Sequence, residues 1–224
     1  MAVLSSSLPV ASEFADDVAR RAAARERLAD FGARAAICAM FVVLATQIGN
    51  EFVKTGHLTG LLLLVSELLV VLLTVVRRPA VLVDRATSAR VVAALSMIGI
   101  YFIRPVGTPL APDWSTAMVS GAGLLVIIAA KLTLGRSFGL LPANRGIVSH
   151  GIYRVVRHPI YAGYLVTHAA FLVAHPTVWN AALLVTSDTA LLVRAVYEER
   201  TLARDSAYAT YMQQVRWRVV PGCF

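Results

Sequence analysis

Two clusters of polar residues in the C-terminal part of the chain have types and spacing suited to chemistry. The first is the run RGIVSHGIYRVVRHPIYAGY, residues 145–164. Gly146 and Gly151 permit turns that other residues resist. Pro159 disfavours a helical conformation at His158 and suits the first position of a new helix. His158 then lies beside the free N–H groups of that helix, where carboxylates and phosphates are attracted. Arg157 adds a fixed positive charge, so the run predicts an anion-recognising pocket. The second cluster is RAVYEERTL, residues 194–202. On a helix Arg194 and Glu198 share a face, with Glu199 one position further round. Two adjacent acids in an arginine-lined region suit a cationic group such as an ammonium or a sulfonium. Tyr208 and Tyr211 follow, and then a basic aromatic tail of Arg216, Trp217, Arg218 and Pro221 that reads as a membrane-surface anchor or a lid.

Taken singly, these residues have plainer roles. Arg154 and Arg157 would serve as cytoplasmic anchors, and Tyr153, Tyr161 and Tyr164 as interfacial ones. His158 would cap a helix, and Glu198 or Glu199 would form a surface ion pair of little worth with Arg194 or Arg200. Their concentration in two short runs favours the functional reading chiefly because the same residues carry a family resemblance.

With LGRSFG (residues 134–139) before them and a late Pro-Gly after them, these segments resemble the isoprenylcysteine carboxyl methyltransferase family. The related phospholipid methyltransferases have the same layout. The resemblance covers about the last ninety residues, and the pairing of RHPxY with a Glu-Glu box is its specific feature. It implies methyl transfer from S-adenosylmethionine by a membrane enzyme. The matching cofactor-binding positions are Tyr153, Arg157, His158, Pro159, Tyr161, Gly163, Glu198 and Glu199. Arg194 stands where the family has an arginine acting on substrate or in catalysis, so the catalytic expectation rests on Arg194 and Glu199. In this reading Arg157 and the helix N-terminus meet the carboxylate of the cofactor, and an acid meets its ammonium or ribose hydroxyls. The expected acceptor is lipid-like and enters from the bilayer. A carboxylate acceptor is already ionised near neutral pH and requires no general base. Arg194 would grip it with two hydrogen bonds. An amine acceptor must first lose a proton, and Glu199 is then the candidate base.

The elements that must hold these clusters are membrane helices. Of 224 residues, 58% are hydrophobic and 15% charged, against about a quarter charged in an ordinary soluble domain. Spans need roughly 20 mostly apolar residues. Six candidates are Arg34–Gln47, Leu58–Val76, Val91–Ile103, Ser115–Leu134, Tyr161–Ala174 and Val178–Val196, with five spans as the alternative. The expected fold is an all-α polytopic bundle forming one domain over residues 1–224, with the cofactor and catalytic region at 134–224. Arginines crowd the N-terminal segment, the second-to-third and fourth-to-fifth connections and the C-terminal segment. The other connections carry only Lys54 and Arg104. By the bias of Lys and Arg toward the inside, both termini are cytoplasmic. The net charge of +8 is mostly this bias, so no nucleic-acid partner is expected.

Residues 1–33 form a polar arm without the apolar core of a signal peptide; within it Ser12–Asp30 reads as an Ala-rich helix with Ser12 as a possible cap, lying on the membrane surface or solvated and partly frayed. Cys38 and Cys223 suggest neither a disulfide framework nor a metal site. The excess of Arg over Lys fits a GC-rich bacterial genome, and hence an inner-membrane location. Glu67, His168 and Asp188 fall inside spans, where ionisable residues are costly. Asp188 is read either as lining an acceptor tunnel or as a partner between helices, and Glu67 as unconnected to the motif region. Two rival readings are a nicotinamide-dependent membrane reductase, for which no GxGxxG signature is present, and a non-catalytic helical protein or small transporter, for which no internal repeat is found.

Overall fold

The computed structural model describes residues 8–56, 58–80, 82–83, 86–139 and 143–224. Its helices are α1 (Leu8–Thr55), α2 (Leu58–Val76), α3 (Thr87–Ile98), α4 (Asp113–Leu134), α5 (Pro159–Ala174), α6 (Val178–Leu202) and α7 (Ser206–Gln214). Each expected span falls on a helix. Among the described residues, three segments are long and apolar enough to cross a bilayer: Asp30–Lys54 of α1, Leu58–Val76, and Asp113–Ser137, which includes the 3-10 turn after α4. The protein is an integral membrane helix bundle. Pro159–Ala174 and Thr87–Tyr101 are shorter apolar helices, and α6, at 25 residues, is long but carries Asp188, Arg194, Glu198 and Glu199.

The N-terminal arm is not separate from the first span. One helix of 48 residues contains both, which at 1.5 Å per residue is roughly 70 Å long. Ser12 lies inside it and is not its cap. The reason is local: Ala, Arg, Glu and Leu are strong helix formers, no proline follows Pro9, and a lone glycine at the junction, Gly32, does not break the helix. Ion pairs one turn apart, Arg21–Asp17 at 2.9 Å and Arg34–Asp30 at 2.7 Å, reinforce the polar stretch. Gly49, Asn50 and Glu51 are likewise helical, and the stop comes at Gly56, whose φ of 67° suits the residue past a helix end.

The arginine-rich segments meet at one end of the bundle. Arg77 reaches Asp30 of α1 at 2.7 Å. Two short strands, β1 (Leu82–Val83) and β2 (Ala143–Asn144), pair antiparallel and join the connection after α2 to the one after α4. The backbone N–H groups of Arg157 and His158 donate to the carbonyls of Trp217 and Arg218 at 2.9 and 2.7 Å, which brings in the C-terminal tail. The charge alternation along the sequence is therefore a spatial segregation as well.

In the core, α4 packs on α5, α1 on α2, α2 on α4 and α3 on α6. The crossing of α4 and α5 is close because Gly123 faces Gly163. A Cβ on Gly163 would lie 2.8 Å from the Gly123 carbonyl oxygen and 3.2 Å from the Ile127 nitrogen. Small residues allow this backbone approach in membranes, where packing replaces the hydrophobic drive. Gly163→Ala is expected to destabilise the protein by about 1–3 kcal/mol through overpacking, measured as thermal unfolding in detergent. Gly121→Ala is the control. Its Cβ would meet only Leu62, at 3.9 Å, and its unfolding temperature should not fall.

Candidate active site

The loop after β2 is shaped by the two glycines expected to turn it. Gly146 has φ of 104°, and Gly151, with φ of 59°, opens a 3-10 turn over Gly151–Arg154. The chain then reaches His158, which precedes Pro159 at the first position of α5. The helix starts where the proline requires. His158 lies parallel to the ring of Tyr161, with centroids 5.1 Å apart.

The two sequence clusters meet here. Glu199, near the end of α6, is 3% exposed. Its Oε1 accepts a 2.7 Å hydrogen bond from Arg157 Nε and lies 3.2 Å from His158 Nε2, while its Oε2 accepts one of 2.8 Å from Arg218 Nε. Burial pushes its carboxyl up, but the hydrogen bonds from His158, Arg157 and Arg218 prevail and hold it at about 2. Arg157 also donates through Nη1 to the carbonyls of Val215 and Arg216, at 2.7 and 3.0 Å. It therefore joins α5, α6 and the tail, and its Nε and Nη1 are committed to protein acceptors. This departs from the expectation that Arg157 serves mainly as a free anion-binding charge. The tail, expected as an anchor or a lid, is bound into this same cluster.

Glu198 faces differently. It accepts a 2.7 Å hydrogen bond from Tyr161 Oη and one of 3.1 Å from Arg194 Nε, and lies 3.6 Å from His158 Nδ1. Arg194 is buried and stands 5.5 Å over the Tyr161 ring. This is no surface ion pair. Among the described residues, Nε is the donor Arg194 uses, and its two Nη groups have no acceptor. Two other tyrosines close the region: Tyr211 donates to the Tyr153 carbonyl at 2.7 Å, and Tyr208 meets Tyr211 edge-on. Burial pushes the phenols of Tyr153 and Tyr208 well above their ordinary range, so both remain protonated at neutral pH.

A cavity of about 700 Å³ runs from this cluster in among the apolar helices. Tyr153, Arg157, His158, Tyr161, Glu198 and Arg194 lie on its wall. Pro159, Gly163 and Glu199 stand behind the wall: Pro159 starts α5, Gly163 packs α5 on α4, and Glu199 ties the cluster together. Away from the cluster the lining becomes apolar, with Phe41 and Leu44 of α1, Leu63 of α2, Met97 of α3, Leu124 of α4 and Phe171 of α5. A concave, mostly apolar space with a few convergent polar groups is the usual form of a small-molecule site.

Four ionisable residues inside the helices form two pairs. His168 Nδ1 lies 2.6 Å from Asp188 Oδ1, so Asp188 pairs α5 with α6, and His168 is the member of the pair on the cavity wall. Glu67 also reaches the wall, which connects it to the motif region, contrary to expectation. Its partner is Lys131 of α4, fully buried, 3.9 Å from Glu67 Oε1 and hydrogen-bonded to the Ser66 hydroxyl and carbonyl at 2.8 and 2.9 Å. Sequence reading passed over Lys131. A lysine three residues from the end of an otherwise apolar span was the available signal.

Residues 115–209 match the family model for phospholipid methyltransferase. Protein-S-isoprenylcysteine O-methyltransferase A of Arabidopsis thaliana is 43% identical over 60 residues, which cover 21% of this chain and 30% of that protein. The match thus spans less than a third of the relative's length. The family match runs from the start of α4 into α7, and so contains every motif residue from Tyr153 to Glu199. Over residues 115–209, less than half of its length, the chain is similar to the phospholipid methyltransferases.

Proposed function

We propose that the protein transfers the methyl group of S-adenosylmethionine to a lipid-like acceptor, most simply the carboxylate of an isoprenoid or isoprenylcysteine-like acid. The observation that carries this reading is one continuous cavity that is polar at the motif cluster and mostly apolar between the helices. A water-soluble, charged cofactor and a hydrocarbon acceptor would meet where the two regions join. The donor set fits the cofactor. Glu198 on the wall suits its ammonium or ribose hydroxyls, and the His158 and Tyr161 rings offer flat faces beside that carboxylate. When bound, the cofactor supplies an electrophilic methyl on a sulfonium.

Arg194, with its Nη groups unused and its position on the wall between the two regions, holds the acceptor carboxylate. A carboxylate oxygen held there would take the methyl group, and the sulfur would leave with the C–S electron pair. No proton moves. Catalysis then rests on proximity and alignment. His158 and Tyr161 are held in place from behind and from the side by Glu199 and Glu198, so in this reading Glu199 is a positioning residue.

The rival acceptor is a phospholipid amine, which the description of the matched family favours. An amine must lose a proton, and the cluster offers a poor base: Glu199 is held at about 2, and Glu198 already accepts from Tyr161 and Arg194. The purified chain, given methyl-labelled cofactor with either N-acetyl-S-farnesylcysteine or phosphatidylethanolamine, should label the former as a base-labile ester. A stable methylamine product would transfer the proposal to the amine. We place the protein in a bacterial inner membrane with the cluster at the cytoplasmic face. Reporter fusions at residues 1 and 224 should both read as inside, and an outside reading at residue 224 would deprive the cluster of cytosolic cofactor.

A further inference from the structure

Arg145 is buried at the polar end of the cavity and lines it, yet it takes no part in the motif cluster. Its backbone carbonyl accepts from Ser137 Oγ. Its guanidinium is different: among the described residues no acceptor reaches any of its nitrogens, and Nε is both fully buried and unpartnered. The surroundings add to the imbalance. Burial disfavours its charge most, and Arg77 and Arg34 add to this; Asp30 and Glu198 favour the charge without a hydrogen bond to it, and the guanidinium falls to about 10. Arg77 is itself buried with an unpartnered Nε, and its paired nitrogen is directed to Asp30. A buried cation without an acceptor is among the costliest arrangements in a protein.

The fold nonetheless makes room for it. A Cβ on Gly139 would collide with Arg145 Nη1 and lie 2.8 Å from Cζ. The final glycine of LGRSFG thus leaves the space that the guanidinium occupies. Gly139 and Gly146 also line the cavity, so the group stands in an open part of the wall.

Resting on the methyltransferase reading, we infer that Arg145 receives the carboxylate of a ligand bound in the polar end of the cavity. Arg157, the residue whose sequence position suggested that task, has Nε and Nη1 turned to Glu199 and to the Val215 and Arg216 carbonyls. Arg194, with unused Nη groups, stands beside Tyr161 and Glu198 on α6. Arg145 and Arg194, whose Nη nitrogens have no acceptor among the described residues, share one cavity, which matches a reaction that brings two carboxylates together, one on the amino-acid end of the cofactor and one on the acceptor; Arg157 keeps only Nη2. Arginine suits the task because its fork meets a carboxylate with two parallel hydrogen bonds.

The test compares wild type, Arg145→Met and Gly139→Ala as full chains in detergent. Unfolding without ligand comes first, and it needs no methyltransferase activity. Arg145→Met should unfold at the same temperature as wild type or higher, because it removes an unpaired buried charge. A clear fall would show that the guanidinium holds the fold and would overturn the inference. Binding follows with S-adenosylhomocysteine and with methylthioadenosine, which has the same nucleoside and thioether but no carboxylate. If the carboxylate is the cofactor's, Arg145→Met should weaken S-adenosylhomocysteine about tenfold or more, the scale of a charged hydrogen bond, and leave methylthioadenosine unchanged. Gly139→Ala should act in the same direction by displacing the guanidinium. If the carboxylate is the acceptor's, the loss should appear instead with N-acetyl-S-farnesylcysteine and be absent with its methyl ester. Equal affinities of wild type and Arg145→Met for all four probes would overturn the inference. Wild type that binds neither nucleoside would count against the methyltransferase reading itself, and the acceptor pair and the ligand-free unfolding would still decide on Arg145.

Discussion

Glu199→Ala is expected to destabilise the protein by about 3–5 kcal/mol, the scale of removing one partner from a buried ion pair. The loss is large because one carboxylate serves three groups from two other elements. Arg157 and His158 are both buried and would lose the acceptor they share, while Arg218, about a third exposed, would lose less. Glu199→Gln keeps an oxygen acceptor and loses the charge, so a smaller loss of about 1.5–3 kcal/mol is expected. Thermal unfolding in detergent measures both. The pH dependence follows from the depressed carboxyl. Its contribution is fully present above its ordinary value of 4.5 and is lost as pH falls toward about 2. In Glu199→Gln this acid-dependent part should be missing. A Glu199→Ala protein as stable as wild type would show that the cluster does not hold the fold.

Arg194→Lys is expected to reduce turnover about 10- to 100-fold, the range of a charged hydrogen bond of ~1.5–3 kcal/mol, while cofactor affinity stays near wild type. Lysine keeps the charge and can still meet Glu198, but a single ammonium cannot present the paired Nη groups to a carboxylate. The split between turnover and binding separates this role from its rivals. Loss of S-adenosylmethionine binding in both Arg194→Lys and Arg194→Ala would assign the arginine to the cofactor side. Unchanged turnover in both would leave it as a structural partner of Glu198 and Tyr161.

The parts of this site that sequence reading reached are those where a residue type dictates a local outcome. Pro159 starts α5 because proline constrains both itself and His158. Gly146 and Gly151 take positive φ because their turns require it. Arg194 and Glu198 bond because positions four apart on a helix face each other. Partners far apart in the chain were not legible. Arg157 is bound to a carboxylate 42 residues on and to carbonyls of the tail, and its type and position alone suggested a free cation. Glu67 looked isolated because its lysine partner sits two helices away, on α4. The continuity of α1 was missed for another reason: a change from polar to apolar composition looks like a boundary, but helix propensity runs straight across it. The tail could not be placed, since its backbone bonds to Arg157 and His158 leave no pattern in the sequence.

These distinctions also bear on how variants in this cluster should be read. Loss of activity in Glu199 or Arg157 variants would report mainly on the fold. Loss in Glu198, Arg194 or Tyr161 variants would report on groups that face the cavity. Of these, Glu198 is the acid with an oxygen to offer a ligand, since its Oε2 has no hydrogen bond among the described residues and lies 3.6 Å from His158 Nδ1.

Calorimetric titration of the folded, full-length chain in detergent with S-adenosylmethionine tests the central claim most directly. The account predicts saturable binding at one site per chain, markedly weaker in Glu198→Ala while that variant unfolds at a temperature near wild type. A wild-type protein that is folded and binds no S-adenosylmethionine would contradict it.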